Sequence, residues 1–162
     1  MNFLLLKKFF CWILVIACMV LIFSFSSQTS GQSTDTSNSF IKTVISFFYP
    51  AFKEWTSAEQ AELYNICSHL VRKLAHFSVF GLLGFLVTLA LSNYRLSYRR
   101  TIFYSFCFCV IYAISDEIHQ MFVPGRAPGF LDVLIDAVGA LLGSCIIICI
   151  LYIIRASKKR RQ

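Results

Sequence analysis

Nine residues that can ionise or form strong hydrogen bonds stand in or beside apolar runs of the sequence. They are Lys73, His76, Asp116, Glu117, His119, Gln120, Arg126, Asp132 and Asp136. An ionised side chain inside a membrane-spanning helix costs about 2.5–3.5 kcal/mol on insertion scales, and such residues usually mark a functional site. We therefore take these nine as the candidate site residues.

Helical spacing groups several of these residues on common faces. Asp116 lies three and four residues before His119 and Gln120, so the three share a face, whereas Glu117 points roughly 100° away. A similar spacing of four places Asp132 and Asp136 together, and Lys73 precedes His76 by three residues. Gly139 and Gly143 extend the aspartate face as a G-x-x-x-G pattern, which predicts close packing against another helix.

Three kinds of chemistry are open to this set. Arg126 and Lys73 could bind an anionic group, since Arg binds phosphate or carboxylate in a bidentate manner and Lys supplies a point charge. His76 or His119 could act as a general acid or base, with a carboxylate that orients the ring. Histidines and carboxylates could also bind a divalent metal. The sequence contains no H-E-x-x-H, G-x-S-x-G or Walker A motif, so these known catalytic patterns are not matched. No cofactor is evident.

A purely structural role is the alternative. Interhelical hydrogen bonds in membranes contribute only about 0.6 kcal/mol on average, so this many polar groups would be an inefficient way to join helices. For Glu117 or Gln120 alone, a simple interface contact remains a reasonable interpretation.

The composition assigns the chain to the integral membrane proteins. Its 162 residues are enough for one domain, and 57% are hydrophobic against roughly 45–50% in soluble domains. Charged residues make up 14%, and the mean hydropathy of +0.69 excludes a disordered or ordinary soluble chain. The seven cysteines include no C-x-x-C pair, so neither a zinc site nor a disulfide framework is predicted.

Four apolar stretches are long enough to cross a bilayer, which predicts an all-α protein with four transmembrane helices in one domain. They cover residues 9–25, 74–91, 102–122 and 130–154. The positive-inside rule favours a cytoplasmic N-terminus and C-terminus, because ten Lys and Arg then lie inside and five outside. This placement accounts for the net charge of +7 and leaves no basic stripe to suggest a nucleic-acid partner.

The first span also resembles a signal peptide, with Lys7 and Lys8 before an apolar core and Ser24 and Ser26 in a small-x-small pattern. Its core is longer than the usual 7–15 residues, which favours a retained anchor.

The segment 26–73 is predicted to be extracytoplasmic, and residues 155–162 to form a basic cytoplasmic tail. The first part of the extracytoplasmic segment, residues 26–39, is polar and is expected to be flexible. Apolar residues between Phe40 and Phe48 then follow helical spacing up to Pro50, which predicts an amphipathic helix at the outer membrane surface. Thr56 and Glu59 form a capping-box sequence, and the helix that it begins should continue into the second span.

This topology brings the candidate residues to one level. Asp116 and Asp136 each lie about 9 Å inward from the outer ends of their spans, at 1.5 Å per residue, and His76 lies one turn inside Arg72 and Lys73. Three helices therefore contribute to one polar pocket near the outer leaflet.

Four sequence segments occur here in a characteristic combination. They read F-S-S-Q at residues 25–28, R-K-L-A-H-F at 72–77, D-E-I-H-Q-M-F-V-P-G-R at 116–126 and D-V-L-I-D-A-V-G at 132–139. With these motifs the chain resembles, over residues 20–143, the VanZ-like family of bacterial membrane proteins. It departs from the family pattern at Asp136, a position that is often Asn, and at residues 127–130, which replace a more polar stretch.

The resemblance implies a multi-pass protein of the bacterial plasma membrane. The founding member is associated with low-level resistance to teicoplanin, a glycopeptide that binds peptidoglycan precursors, and no settled biochemical activity accompanies the family name. We therefore expect an envelope protein whose pocket binds membrane lipids or lipid-linked, peptidoglycan-related ligands. The alternatives are a membrane-embedded hydrolase or transferase acting on a phospholipid or polyprenyl phosphate, and a scaffold for other envelope proteins. The presence of a metal and the oligomeric state are left open.

Overall fold

The described part of the chain is entirely helical. The computed structural model describes residues 3–48, 55–127 and 129–160, and across these ranges it contains helices and connections but no strand. The five helices are α1 (Phe3–Ser26), α2 (Ser30–Phe48), α3 (Ser57–Leu91), α4 (Tyr98–Gln120) and α5 (Phe130–Arg160). The predicted all-α fold is confirmed.

Four of these helices are long and apolar enough to cross a membrane: Leu4–Ser26, Ser57–Leu91, Tyr98–Gln120 and Phe130–Lys158. The predicted number of spans is therefore confirmed, and their bounds are refined. The third span, α4, ends at Gln120 rather than at Phe122, because the chain turns there toward Gly125. The φ of Gly125 is 76°, a conformation that favours glycine.

The start of α3 follows the predicted capping box. The Thr56 side chain accepts a hydrogen bond from the Glu59 backbone N–H, and the Glu59 carboxylate accepts one from the backbone N–H of Thr56. The helix continues without a break into the apolar stretch that begins at residue 74. The prediction that one helix carries both segments is confirmed.

The expectation of a flexible segment over residues 26–39 was wrong. Helix α2 begins at Ser30, and a second capping box starts it: Gln32 N–H donates to Thr29 Oγ1, and Thr29 N–H donates to Gln32 Oε1 over 3.0 Å. Several hydroxyls in this helix donate to the carbonyl four residues earlier, including those of Thr34 and Ser37. These bonds satisfy the hydroxyl groups within the helix itself.

Helix α2 packs along α3. It buries Ser33, Ser37 and Ile41, which are four residues apart, and leaves Phe47 and Phe48 exposed. Its position at the membrane surface stays a prediction, and Pro50, expected to end it, lies outside the described residues.

Small residues join α3 to α5 and fix their register. A Cβ added at Gly139 would collide with the Phe77 carbonyl oxygen, and one at Gly143 would collide with that of Gly81. Both pairs advance by four residues, so the two helices run in parallel with one turn matched to one turn. The predicted G-x-x-x-G face therefore packs within the chain.

Candidate functional site

The α3–α5 register continues from the glycine seam to the polar end of both helices. Lys73 Nζ lies 3.4 Å from Asp132 Oδ1, and one turn further along, His76 Nδ1 lies 3.7 Å from Asp136 Oδ2. The close packing that requires glycine at 139 and 143 thus places Lys73 opposite Asp132 and His76 opposite Asp136.

A pocket of about 240 Å³ opens at this end of the bundle, beside the connection between α4 and α5. Seven of the nine candidate residues line it: Lys73, His76, Glu117, Gln120, Arg126, Asp132 and Asp136. Its wall also contains six residues that the sequence did not single out as binding residues, namely Ser30, His69, Arg72, Gly125, Ala127 and Ile135.

Asp136 is the most deeply buried of the pocket carboxylates. Its side chain is only 1% exposed, and neither carboxylate oxygen has a hydrogen-bond partner among the residues that the structure describes. The imidazole of His76, at 3.7 Å, is an ion-pair neighbour that lies beyond hydrogen-bonding distance. Buried polar groups are normally satisfied, so an unpartnered carboxylate in a pocket wall indicates a group that receives a ligand or water.

Glu117 has a more structural environment. Its Oε2 accepts a hydrogen bond of 3.0 Å from the backbone N–H of Gly129, and Gly129 O in turn accepts from Asp132 N–H. The carboxylate therefore holds the start of α5 against the end of α4 while it lines the pocket.

Asp116 does not line the pocket, although its sequence neighbour does. Its Oδ2 accepts hydrogen bonds from Ser26 Oγ at 2.7 Å and from Gln120 Nε2 at 3.1 Å, and Gln120 also donates to Ser26 Oγ. All three side chains are buried. This cluster fastens the end of α1 to the end of α4.

His119 is likewise turned away from the pocket. Its ring stacks on Phe23 with centroids 4.6 Å apart, and its Nε2 lies 3.1 Å from Ser27 Oγ. The structure therefore divides the D-E-x-H-Q motif: Glu117 lies on the pocket side, Asp116 and His119 lie on the α1 side, and Gln120 lines the pocket while it bonds Ser26 and Asp116.

Two arginines in the pocket wall form no ion pair with a carboxylate among the described residues, although Glu117, Asp132 and Asp136 line the same pocket. Arg126 Nε donates to the Gln28 carbonyl oxygen over 3.3 Å, and Arg72 Nη2 donates to His69 Nδ1 over 3.2 Å. Within the described ranges, neither guanidinium has a carboxylate oxygen within 4.0 Å. Lys73, by contrast, is paired with Asp132.

The two guanidinium groups also affect each other. Arg126 lies in the connection outside the spanning helices; burial and then the nearby charge of Arg72 lower its pKa, against the opposing effect of the carboxylates. An arginine remains protonated in a protein, so this shift reports first the burial of Arg126 and second its repulsion by Arg72. An anion placed between them would relieve that repulsion.

The end of α1 contributes more to the site than the sequence suggested. Ser26 and Ser27 bond α4 residues, and the Gln28 carbonyl accepts from Arg126. Ser30, at the start of α2, donates its backbone N–H to Pro124 O in the α4–α5 connection. The F-S-S-Q segment at the span end was the signal for these contacts, but spacing within α4 alone could not reveal its partner.

Histidine and carboxylate side chains line the pocket, but their arrangement does not favour a metal. Across the residues that the structure describes, no group of three or more His, Cys, Asp or Glu is placed to hold a metal ion. The sequence-level hypothesis of a divalent metal therefore gains no geometric support.

The fold and this site define a class: a polytopic helical membrane protein with a charged pocket at one end of its bundle. A family model described as VanZ/LLP1 matches residues 10–154, and the chain belongs to that family. The resemblance inferred from the motifs is confirmed. Neither a curated protein nor a solved structure matches the chain.

Proposed function

We propose that this protein acts in the bacterial cell envelope by binding an anionic, lipid-linked or peptidoglycan-related ligand in the pocket. In this proposal the pocket faces the outer leaflet of the plasma membrane, as the Lys and Arg distribution predicts. By holding such molecules at the membrane surface, the protein would lower the access of teicoplanin to its targets.

The observation that carries the proposal is the pair Arg72 and Arg126. Both line the pocket, and neither forms an ion pair with a carboxylate among the described residues. Partly buried guanidinium groups without a counter-ion are costly, and a phosphate or carboxylate can accept two parallel hydrogen bonds from each. An anionic ligand is therefore the partner that this charge distribution supports best.

The proposal is tested by removing this charge. The double variant Arg72→Gln/Arg126→Gln, expressed in a bacterial host that lacks the protein, should lose the protection against teicoplanin that the wild type confers. The matched control is Arg99→Gln/Arg100→Gln, which removes two exposed arginines at the other end of α4. Membrane levels of each variant are compared by immunoblot.

Equal protection by the wild type and by Arg72→Gln/Arg126→Gln, at equal membrane levels, would contradict the proposal. Loss of protection in both double variants would also count against it, since a general charge effect would then explain the result.

A second candidate function is supported by the His76–Asp136 pair. A buried carboxylate 3.7 Å from Nδ1 can stabilise the imidazolium that forms when neutral His76 takes up a proton at Nε2. In a phosphate-ester hydrolysis, His76 would take a proton from water as the water oxygen bonds to phosphorus. It would return that proton to the alcohol oxygen as the ester bond breaks.

Lipid extracts distinguish the enzyme from the binder. If the protein is a hydrolase or transferase, a product will disappear in cells that carry His76→Ala, although the protein level remains unchanged. Identical lipid profiles in wild-type cells, His76→Ala cells and cells without the protein would rule against the enzyme.

A further inference from the structure

A second cavity of about 500 Å³ lies between α1, α2 and α3, next to the charged pocket. Its walls are mainly apolar, with Ile22, Phe25, Phe40, Leu74, Val79 and Phe80 among them. Helix α2 closes one side of this cavity through Thr36 and Phe40. We call this cavity the apolar groove.

The apolar groove and the charged pocket meet at three shared residues. Arg72, His76 and Arg126 line both cavities. The two guanidinium groups that form no ion pair therefore lie at the junction, with an apolar channel on one side and a polar chamber on the other. This order of apolar, cationic and polar surfaces is complementary to an amphiphile with a phosphate between its chain and its headgroup.

The polar chamber contains hydrogen-bond acceptors in addition to the arginine donors. Asp136 has two buried carboxylate oxygens without a hydrogen-bond partner, and Asp132 lies in the same wall. Carboxylates accept hydrogen bonds from hydroxyl groups but repel a second phosphate. The part of the ligand beyond the phosphate should accordingly carry hydroxyl groups, as a glycerol or a sugar does.

We infer that the two cavities form one site for a phosphate-linked lipid with a hydroxyl-bearing headgroup. Its hydrocarbon chain occupies the apolar groove, its phosphate lies between Arg72 and Arg126, and its hydroxyls face Asp136. This inference rests on the proposed function, and it specifies both the chemical class of the ligand and the path of its chain. A second protein chain is a poorer occupant, since a neutral apolar helix would leave both arginines without a counter-ion.

Photo-crosslinking tests the path of the chain. The full-length protein is placed in phosphatidylcholine nanodiscs with a trace of phosphatidylglycerol that carries a diazirine in mid-chain. We expect cross-links on groove residues such as Leu74 and Val79, at about tenfold the level given by a phosphatidylcholine probe with the same chain. Both probes carry the phosphate, but choline has no hydroxyl to donate to Asp136, so one hydrogen bond to a charged group is lost.

Two substitutions fill the groove from opposite sides. Ala75→Trp acts from α3 and Thr36→Trp from α2, and both residues line the groove and are exposed at its surface. Each should reduce the groove cross-links to the level of the phosphatidylcholine probe. Val138→Trp, on an exposed part of α5 that lines neither cavity, is the matched control and should leave them unchanged.

The outcomes separate this inference from the proposed function. If phosphatidylglycerol is preferred over phosphatidylcholine but cross-links spread along α5 and resist both tryptophans, the groove assignment is overturned and headgroup binding stands. No preference between the two probes would overturn both. A phosphatidic acid probe that labels the groove as well as phosphatidylglycerol does would overturn the assignment of the hydroxyl-bearing headgroup.

Discussion

At the scale of single residues, side chains with similar sequence signals have different roles. Glu117 lines the charged pocket, Asp116 and His119 contact α1, and Gln120 does both. The sequence identified all four as unusual because they are polar groups in an apolar run, and helical spacing separated Glu117 from the other three. Spacing could not show which of the two faces lines the pocket, since that depends on the neighbour that each face of α4 meets.

His119 provides a prediction that separates the two groups. His119→Phe preserves an aromatic ring against Phe23 and loses only the contact with Ser27, so binding of dioctanoyl phosphatidylglycerol should change less than about twofold. Arg126→Gln should weaken the same binding by about tenfold or more, because a charged hydrogen-bonding group is lost. Microscale thermophoresis of the purified variants measures both. A larger loss from His119→Phe than from Arg126→Gln would reverse the assignment.

Ser26 tests the buried cluster at the end of α1. Ser26→Ala removes the donor to Asp116 Oδ2 and the acceptor of Gln120, which leaves a buried carboxylate less satisfied. We expect the free energy of unfolding to fall by about 1–2 kcal/mol. Ser24→Ala, two residues earlier, removes an exposed hydroxyl bonded within its own helix and should change stability by less than about 0.5 kcal/mol.

Unfolding of both serine variants is followed by circular dichroism in mixed micelles with increasing sodium dodecyl sulfate. Equal stability of the Ser26 and Ser24 variants would show that the cluster does not hold α1 in place.

At the scale of elements, the contact between α3 and α5 organises the site. The G-x-x-x-G pattern predicted a close helix contact, but it could not specify α3 as the partner, because a second copy of the chain would have served equally well. The matching glycines in α3 are Gly81 and Gly84. A Cβ added at Gly84 would collide with the carbonyl oxygen of Ala140. Recognition of paired glycines in both spans would have predicted this register.

Gly143 is the position at which this contact is most easily tested. Gly143→Ala places a methyl group against the Gly81 carbonyl and must push the helices apart, so we expect a loss of about 1–3 kcal/mol in unfolding free energy. It should also weaken phosphatidylglycerol binding, because the pocket lies along the same seam. Thermal unfolding by tryptophan fluorescence measures the stability.

Gly31→Ala is the control for this prediction. No atom lies within 4 Å of the added Cβ, and the residue is in helix α2, so stability should be unchanged or rise by up to about 1 kcal/mol. If both alanine variants behave alike, close packing at Gly143 is not what joins α3 to α5.

Helix α2 shows where composition misled the sequence analysis. The stretch 26–39 is rich in Ser and Thr, which usually favours loops. The sequence from Thr29 to Gln32 nevertheless fits a capping box, which indicates the start of a helix. Packing against α3 then supplies what helix propensity lacks.

At the scale of the whole molecule, the number of spans followed directly from hydropathy, since four apolar runs exceed the length that a bilayer requires. The sequence also predicted that polar groups converge at one end of the bundle. Consecutive spans cross in opposite directions, so the start of α3, the end of α4 and the start of α5 lie on the same side. The apolar groove could not be predicted, since it depends on the path of α2 between two spans.

The orientation in the membrane is a prediction of its own. A green fluorescent protein fused after Gln162 should fluoresce in the cytoplasm, and alkaline phosphatase fused after Arg126 should be active outside, because ten of the fifteen Lys and Arg then lie inside. Active phosphatase at the C-terminus with an inactive fusion at Arg126 would place the charged pocket on the cytoplasmic side.

Native mass spectrometry of the purified protein measures directly whether Arg72 and Arg126 select an anionic lipid. The protein is exchanged into nanodiscs that contain equal amounts of phosphatidylglycerol and phosphatidylcholine and is then released in the spectrometer. The account predicts that the wild type and Arg99→Gln/Arg100→Gln retain phosphatidylglycerol in preference, and that Arg72→Gln/Arg126→Gln loses this preference by about tenfold or more. Equal retention of the two lipids by the wild type, or an undiminished preference after both pocket arginines are replaced, would contradict it.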